Sequence, residues 1–366
     1  MGDSFSINIG NENACKILRS NINTAFSDIA SVSEPSIFCE KKYDDCTVTI
    51  ENYYTDQCTF QTDTENAPNI DGKIGDFKQG KTGDCYILSA VKALSLTEEG
   101  AKILSDSISN VGHGVVVNFK GGKSEINDVF ISNEEIATAK EKSKNKQDNS
   151  LSSGDDDVTI IELAVQKYRL AEVAYDRRNN NICNNKLSEK VSKQNIIKGG
   201  SAAEIMELLT KRQASSENVF DNNGKGILDN TEKTLSESEL NSRFSSRIAN
   251  MLNEGPVVLS VKKQENIDEP FVVDDRRNNK KNNQSDKMIQ VGKVSLYKSH
   301  AYTVSGIDNN TITLKNPHDS SKDVKIPLND FIKYANTHPN AFKVQFANLN
   351  GSAPRPKQMK LCSEDY

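Results

Sequence analysis

The sequence predicts an α+β chain, with a helical half facing an antiparallel-sheet half. Three stretches carry that expectation. Gln79-Gly-Lys-Thr-Gly-Asp-Cys-Tyr-Ile-Leu-Ser-Ala-Val-Lys-Ala-Leu94 is a glycine-punctuated turn running straight into an apolar helical pattern. Ser299-His-Ala-Tyr-Thr-Val-Ser-Gly306 and Ile312-Thr-Leu-Lys-Asn-Pro317 read as strands, and Asp308-Asn-Asn310 between them is a hairpin signal. Thr159 to Ala174, and the segment after Gly199-Gly200, add helices with one apolar face.

Residues 1–70 read as an N-terminal extension of unassigned role. Ile17, Leu18, Ile22, Phe26 and Ile29 share one face of a predicted helix within Asn11 to Ala30. Cys46-Thr-Val-Thr-Ile-Glu-Asn-Tyr-Tyr54 alternates as a strand does. Met1-Gly-Asp-Ser-Phe-Ser6 fits the loose myristoylation pattern, but Asp3 beside the acceptor glycine counts against it, so membrane attachment is not expected.

Residues 71–212 form the first expected subdomain. Gly80 and Gly83 permit a tight loop, and Asp84 is placed to cap a helix starting at Cys85. Ile87, Leu88, Ala90, Val91 and Leu94 leave that helix little polar face, so it is expected to be buried. A cysteine at a helix N-terminus is expected to have a lowered thiol pKa, and the thiolate is the nucleophile. The plain alternative is a small core residue at the start of a core helix. Lys140 to Asp157 is polar and charged and reads as a loop. Ile160, Ile161, Ala164, Val165 and Tyr168 then mark the inner face of the next helix.

Residues 213–346 form the second subdomain, and 347–366 a tail. Asp221 to Glu232 has the outline of a calcium loop, but Lys225 occupies a ligand position, so a polar turn is expected. Ser236 caps a helix that Gly255-Pro256 ends. Val257–Val261, Val294–Leu296, Ala301–Ser305 and Ile312–Leu314 read as strands. The start of one strand of an antiparallel hairpin lies beside the end of the next, so His300 and Asn316 are expected to be neighbours. Cys85, His300 and Asn316 are then nucleophile, base and orienter of an acyl-transfer site. The Gln79 side chain, with the Cys85 N–H, supplies the two donors of an oxyanion hole.

These stretches resemble a known family. Gln79-Gly-x-x-Gly-Asp-Cys85, His300-Ala-Tyr-Thr-Val304 and Lys315-Asn-Pro317 resemble the three catalytic motifs of calpain-type cysteine proteases. Ile160-Ile-Glu-Leu-Ala-Val-Gln-Lys167, Ala174-Tyr175, Gly199-Gly-Ser-Ala-Ala-Glu204 and Gly114-Val-Val-Val-Asn-Phe-Lys-Gly121 resemble segments between those motifs. The resemblance runs from Asp76 to Ala335 in collinear order. It implies a papain-like protease core, with Cys85 as nucleophile, His300 as base, Asn316 as orienter and Gln79 as oxyanion donor. It also implies that Gly200 and Ser299 line the substrate cleft. Three positions depart from the family pattern: Tyr86 and His318 stand where tryptophans are usual, and Ser299 replaces a glycine. No ion is required for the chemistry. A single Ca2+ site is implied as an option, with Asp76 and Asp155 as carboxylate ligands and carbonyls near Asn69 and Asp71.

The expected function is therefore cysteine endopeptidase action on a protein substrate. The alternatives are a glutamine deamidase or transglutaminase on the same fold, and an inactive binding module. The net charge of −5 gives no reason to expect nucleic acid as a partner. No apolar run is long enough to span a bilayer, and the N-terminus lacks the apolar core of a secretory leader, so a cytoplasmic setting is expected. The cysteine count of 7 is odd, and reduced thiols fit that setting.

Overall fold

The computed structural model describes the backbone of residues 3–9, 36–42 and 45–53, and then 68–178, 196–221, 226–229, 232, 234–262 and 287–351. The chain divides into two compact units, Met1–Glu65 and Asn66–Tyr366. In the first, β1 (Asp3–Ile9), β2 (Ser36–Lys42) and β3 (Asp45–Tyr53) make an antiparallel sheet of order β1-β3-β2. The helix expected within Asn11 to Ala30 lies outside the described residues.

The second unit is α+β. Its helical half is built around α1 (Cys85–Ser95), whose residues Tyr86 to Leu94 are all buried, Lys92 included. A helix so enclosed is a core element rather than an amphipathic surface one. Around it lie α2 (Glu98–Ser107), β4 (Ile108–Asn110), β5 (Gly114–Asn118), β6 (Asp128–Ser132), α3 (Asn133–Lys144), α4 (Asp156–Arg178) and α5 (Ala202–Thr210). Strands β4, β5 and β6 pair antiparallel in that order.

The polar segment Lys140 to Asp157 departs from the loop expected there. Its first residues complete α3, which starts with a reciprocal capping box between Ser132 and Glu135. Ser150, Leu151 and Ser152 are buried. They are pinned to the loop before α1: Thr82 N–H donates to Ser150 O at 3.1 Å, and Lys78 and Ser153 exchange backbone bonds at 2.8 and 2.9 Å. Gly80 is required by this contact, since a Cβ there would stand 2.1 Å from Ser150 O. Polarity here reflects backbone pairing against another loop, which composition does not reveal.

The sheet half contains β7 (Ala214–Asn218), α6 (Glu237–Glu254), β8 (Val257–Val261), β9 (Met288–Val291), β10 (Val294–Tyr297), β11 (His300–Ile307), β12 (Thr311–Asn316), β13 (Asp319–Pro327), α7 (Leu328–Thr337) and β14 (Phe342–Ala347). Six strands form one sheet in the order β13-β12-β11-β8-β14-β7, and β9 pairs with β10. The hairpin between β11 and β12 is tied by Asp308, whose side chain accepts from the N–H groups of Asn310 and Thr311. Phe244, Phe331 and Phe342 anchor the core beneath the sheet.

The two halves share apolar packing: Val258 and Ala301 from the sheet belong to the core around α1. Thr303 Oγ1 donates to Ser89 O at 2.8 Å, fastening β11 to α1. Gln345 on β14 accepts from Ser201 Oγ and Ala203 N–H, both at 2.8 Å, at the start of α5. No helix among the described residues is long and apolar enough to cross a membrane.

Ser299, just before β11, has φ +52° and is exposed. Left-handed backbone at a residue with a Cβ costs roughly 1–2 kcal/mol, partly offset by glycine's greater freedom in the unfolded chain. Ser299→Gly is expected to stabilise the fold by about 0.5–1 kcal/mol. A higher urea midpoint at unchanged slope is the result that checks it.

Candidate functional site

Strand pairing brings His300 and Asn316 together. His300 opens β11, Asn316 closes β12, and His300 Nε2 meets Asn316 Oδ1 at 2.9 Å. The oxygen of Asn316 also accepts from the backbone N–H of His318 at 3.0 Å, which fixes the amide orientation. Aromatic rings enclose His300. Tyr302 lies 4.9 Å from it, Tyr297 5.7 Å and His318 4.6 Å, centroid to centroid. Tyr297 also packs on His318 at 4.8 Å. His318 therefore sits on the His300–Asn316 pair through both its ring and its N–H. Sequence reasoning did not single out Tyr297 or Tyr302. Their signal is the aromatic at either side of His300 in Tyr297-Lys-Ser-His-Ala-Tyr302.

His300 is 7% exposed, and burial pushes its pKa down to about 4, against the opposing pull of the Asn316 bond. The ring is neutral at neutral pH and holds a free lone pair, as a base must.

Cys85 stands at the first turn of α1, half-buried and outside any disulfide. Its thiol faces the N–H of Ala301, the residue after His300, but makes no hydrogen bond to the His300 ring. The expected lowering of its pKa is not found. Burial pushes it up to about 11, the Ala301 N–H pulls it down in part, and the Asp84 charge raises it. Desolvation of a thiolate outweighs the field of the helix end. Thiol and imidazole are thus both neutral at rest.

Asp84 does not cap α1 through its side chain. It is fully buried, and its Oδ1 accepts from Gln79 Nε2 at 3.0 Å. The same nitrogen donates to Thr82 O at 3.0 Å, so both hydrogens of the Gln79 amide point into the loop. The amide expected to serve an oxyanion thus gives both its N–H groups to acceptors within five residues of it. Gln79 Oε1 is buried without a partner. The backbone crosses between the halves here: Gln79 N–H donates to Pro317 O at 2.8 Å, and Phe77 and Ser320 bond each other at 2.8 and 3.0 Å.

Gly200 presses on the residue after the cysteine. A Cβ there would lie 2.6 Å from the Tyr86 ring, so glycine admits that ring. Gly199 has φ +69° and donates to Gly83 O at 2.8 Å, which couples this loop to the one before α1. These contacts give Gly200 a packing role.

Both carboxylates assigned to a calcium ion accept hydrogen bonds from within the chain. Lys92 Nζ donates to Gly75 O at 2.8 Å and to Asp76 Oδ1 at 3.1 Å, with its side chain 9% exposed. Asp155 accepts from Gly75 N–H and Val158 N–H. Asp157 Oδ2 accepts from Asp71 and Gly72 N–H at 3.2 and 3.1 Å. An ammonium in the shell and carboxylates spent on backbone donors do not fit a calcium ion, which needs six or more oxygens. Glu232 of the loop-like stretch Asp221 to Glu232 is paired with Arg243 and Arg247 at 2.9 Å. Among the described residues no cluster of three or more His, Cys, Asp or Glu is arranged to hold a metal. Lys92 was legible as the lone charge in an apolar helix, but only the fold shows what it faces.

No model of a known protein family matches this chain, and no curated protein is significantly similar to it.

Proposed function

We propose that the chain is a cysteine endopeptidase with a papain-like catalytic core of the calpain type. The hydrogen bond from His300 Nε2 to Asn316 Oδ1 carries this reading. It joins the first residue of one hairpin strand to the last residue of the next, and it leaves Nδ1 as the nitrogen to serve a thiol. The thiol of Cys85 attacks the substrate carbonyl as its proton passes to His300 Nδ1. Transfer at the moment of attack suits a resting pair that is neutral. Asn316 holds the imidazole in one tautomer and steadies the imidazolium. The N–H of Cys85, in the first helical turn, receives the oxyanion, with Gln79 Nε2 once it releases an internal acceptor. The proton then goes to the leaving amine, and water hydrolyses the thioester.

Digestion of denatured casein tests the reading. New peptide termini with the native chain, and none with Cys85→Ala, are expected. Ammonia released without chain cleavage would replace it with glutamine deamidation.

Three further results are expected. Activity falls in acid only as His300 becomes protonated, so the acid limb of kcat/KM lies well below the usual histidine value and near 4. A limb near 6.5 would contradict the buried, neutral imidazole. Calcium is expected to give no calorimetric heat and no thermal shift, and chelator to leave turnover unchanged. Lys92→Met is expected to cost about 1–2 kcal/mol in urea unfolding, the low end reflecting the exposed Asp76 partner. Calcium binding by the native chain would overturn the role given to Lys92.

A further inference from the structure

Beneath the nucleophile lies a second carboxyl group. Glu162 on α4 is fully buried, and so is Asp84. The carboxyl groups of Asp84 and Glu162 are neighbours, and Asp84 Oδ2 is buried with no donor of its own. Glu162 also accepts from Ser152 N–H at 3.0 Å and from Ser152 Oγ. Two touching carboxylates in a dry interior cannot both be ionised. One proton must therefore lie between them.

We propose that Asp84 and Glu162 hold one proton between them and act as the positioning pair for the Gln79 amide, setting how firmly that donor is held inside the loop. The inference rests on the endopeptidase reading for its catalytic consequence, but not for the pair itself. With one proton present, a single negative charge is spread over two carboxyl groups, and Asp84 is a moderate acceptor for Gln79 Nε2. Loss of the proton leaves a full charge on Asp84. That charge grips the Gln79 N–H more strongly and opposes ionisation of Cys85, on which Asp84 already acts. Both effects slow acyl transfer, so the proton favours activity and its loss at high pH removes it.

Burial raises both carboxyl groups above their ordinary values, and the Ser152 bonds only partly counter this at Glu162. The proton is therefore kept to higher pH than on an exposed carboxyl. The groups facing the pair are the Gln79 amide from the loop before α1, Ser152 from the turn before α4, and the Cys85 thiol on α1. Of these only the thiol titrates.

The test follows the side-chain 15N–1H signals of Gln79 in the whole chain across pH, identified by their loss in Gln79→Ala. In the native chain they are expected to move as the pair loses its proton. In Glu162→Gln, where a fixed N–H replaces the shared proton, that movement is expected to vanish. In Ser152→Ala its midpoint is expected to rise, because a group favouring the charged form is gone. This variant also keeps the test decisive if Glu162→Gln fails to fold. The alkaline limb of turnover should share the native midpoint, with about a tenth of the plateau rate left one pH unit above it. Signals that stay still, or move alike in native and Glu162→Gln chains, would overturn the pair. A turnover profile unchanged in Glu162→Gln would overturn its catalytic role. Titration of the amide in a chain that cuts no peptide would sustain the pair and sink the endopeptidase reading.

Discussion

Replacing Cys85 with alanine is expected to lower kcat/KM by about 10⁴-fold or more, since loss of the proposed nucleophile removes the covalent route and leaves only binding and oxyanion stabilisation. The fold should survive. Cys85 is half-buried at the edge of the core, and α1 is held by Tyr86 to Leu94 rather than by the thiol. Removing one sulfur leaves a small void. Circular dichroism and a urea midpoint close to the native one would show that lost turnover is lost chemistry. Turnover retained in a folded Cys85→Ala chain would reject the thiol as nucleophile.

His300→Ala is expected to cost nearly as much, and Asn316→Ala clearly less. Without His300 the proposed base for the thiol proton is gone, and a thiol pushed up to about 11 supplies almost no thiolate at neutral pH. His300→Ala activity should therefore climb steeply with pH as thiolate appears. Asn316→Ala keeps the base but loosens it. The rings of Tyr297, Tyr302 and His318 still enclose the imidazole, so a loss of about 10- to 100-fold is expected, or roughly 1–3 kcal/mol of transition-state stabilisation. Steady-state kinetics across pH for both variants checks the order. Equal and complete losses in two folded variants would mean that Asn316 does more than orient the base.

The hairpin geometry was legible because it follows from local rules. A turn at Asp308-Asn-Asn310 forces the ends of β11 and β12 together, whatever the rest of the fold does. The buried α1 was legible from its continuous apolar pattern. Other features depend on long-range partners that no local pattern encodes. Asp84 reads as a helix cap, yet its carboxyl is buried, accepts from Gln79 and neighbours Glu162, far along the chain on α4. Glu162 itself stood out only as a charge within Ile160-Ile-Glu-Leu-Ala-Val165. Cys85 reads as activated by a helix end, yet desolvation of its half-buried thiol by tertiary packing reverses the direction of its pKa shift. Asp76 reads as a metal ligand until Lys92 is seen on it. Strand β13 went unread because Asp319-Ser-Ser-Lys-Asp-Val-Lys-Ile-Pro327 starts polar, and half of it faces solvent at the sheet edge.

The acyl-enzyme tests the central claim most directly. A peptide ester with a fast-leaving alcohol is mixed with the native chain and quenched in acid within a turnover, and the digest is mapped by mass. A thioester on the peptide carrying Cys85, absent in Cys85→Ser and accumulating in a burst before steady release, is the predicted result. Turnover with no adduct on Cys85, or an adduct on another cysteine, would contradict the account.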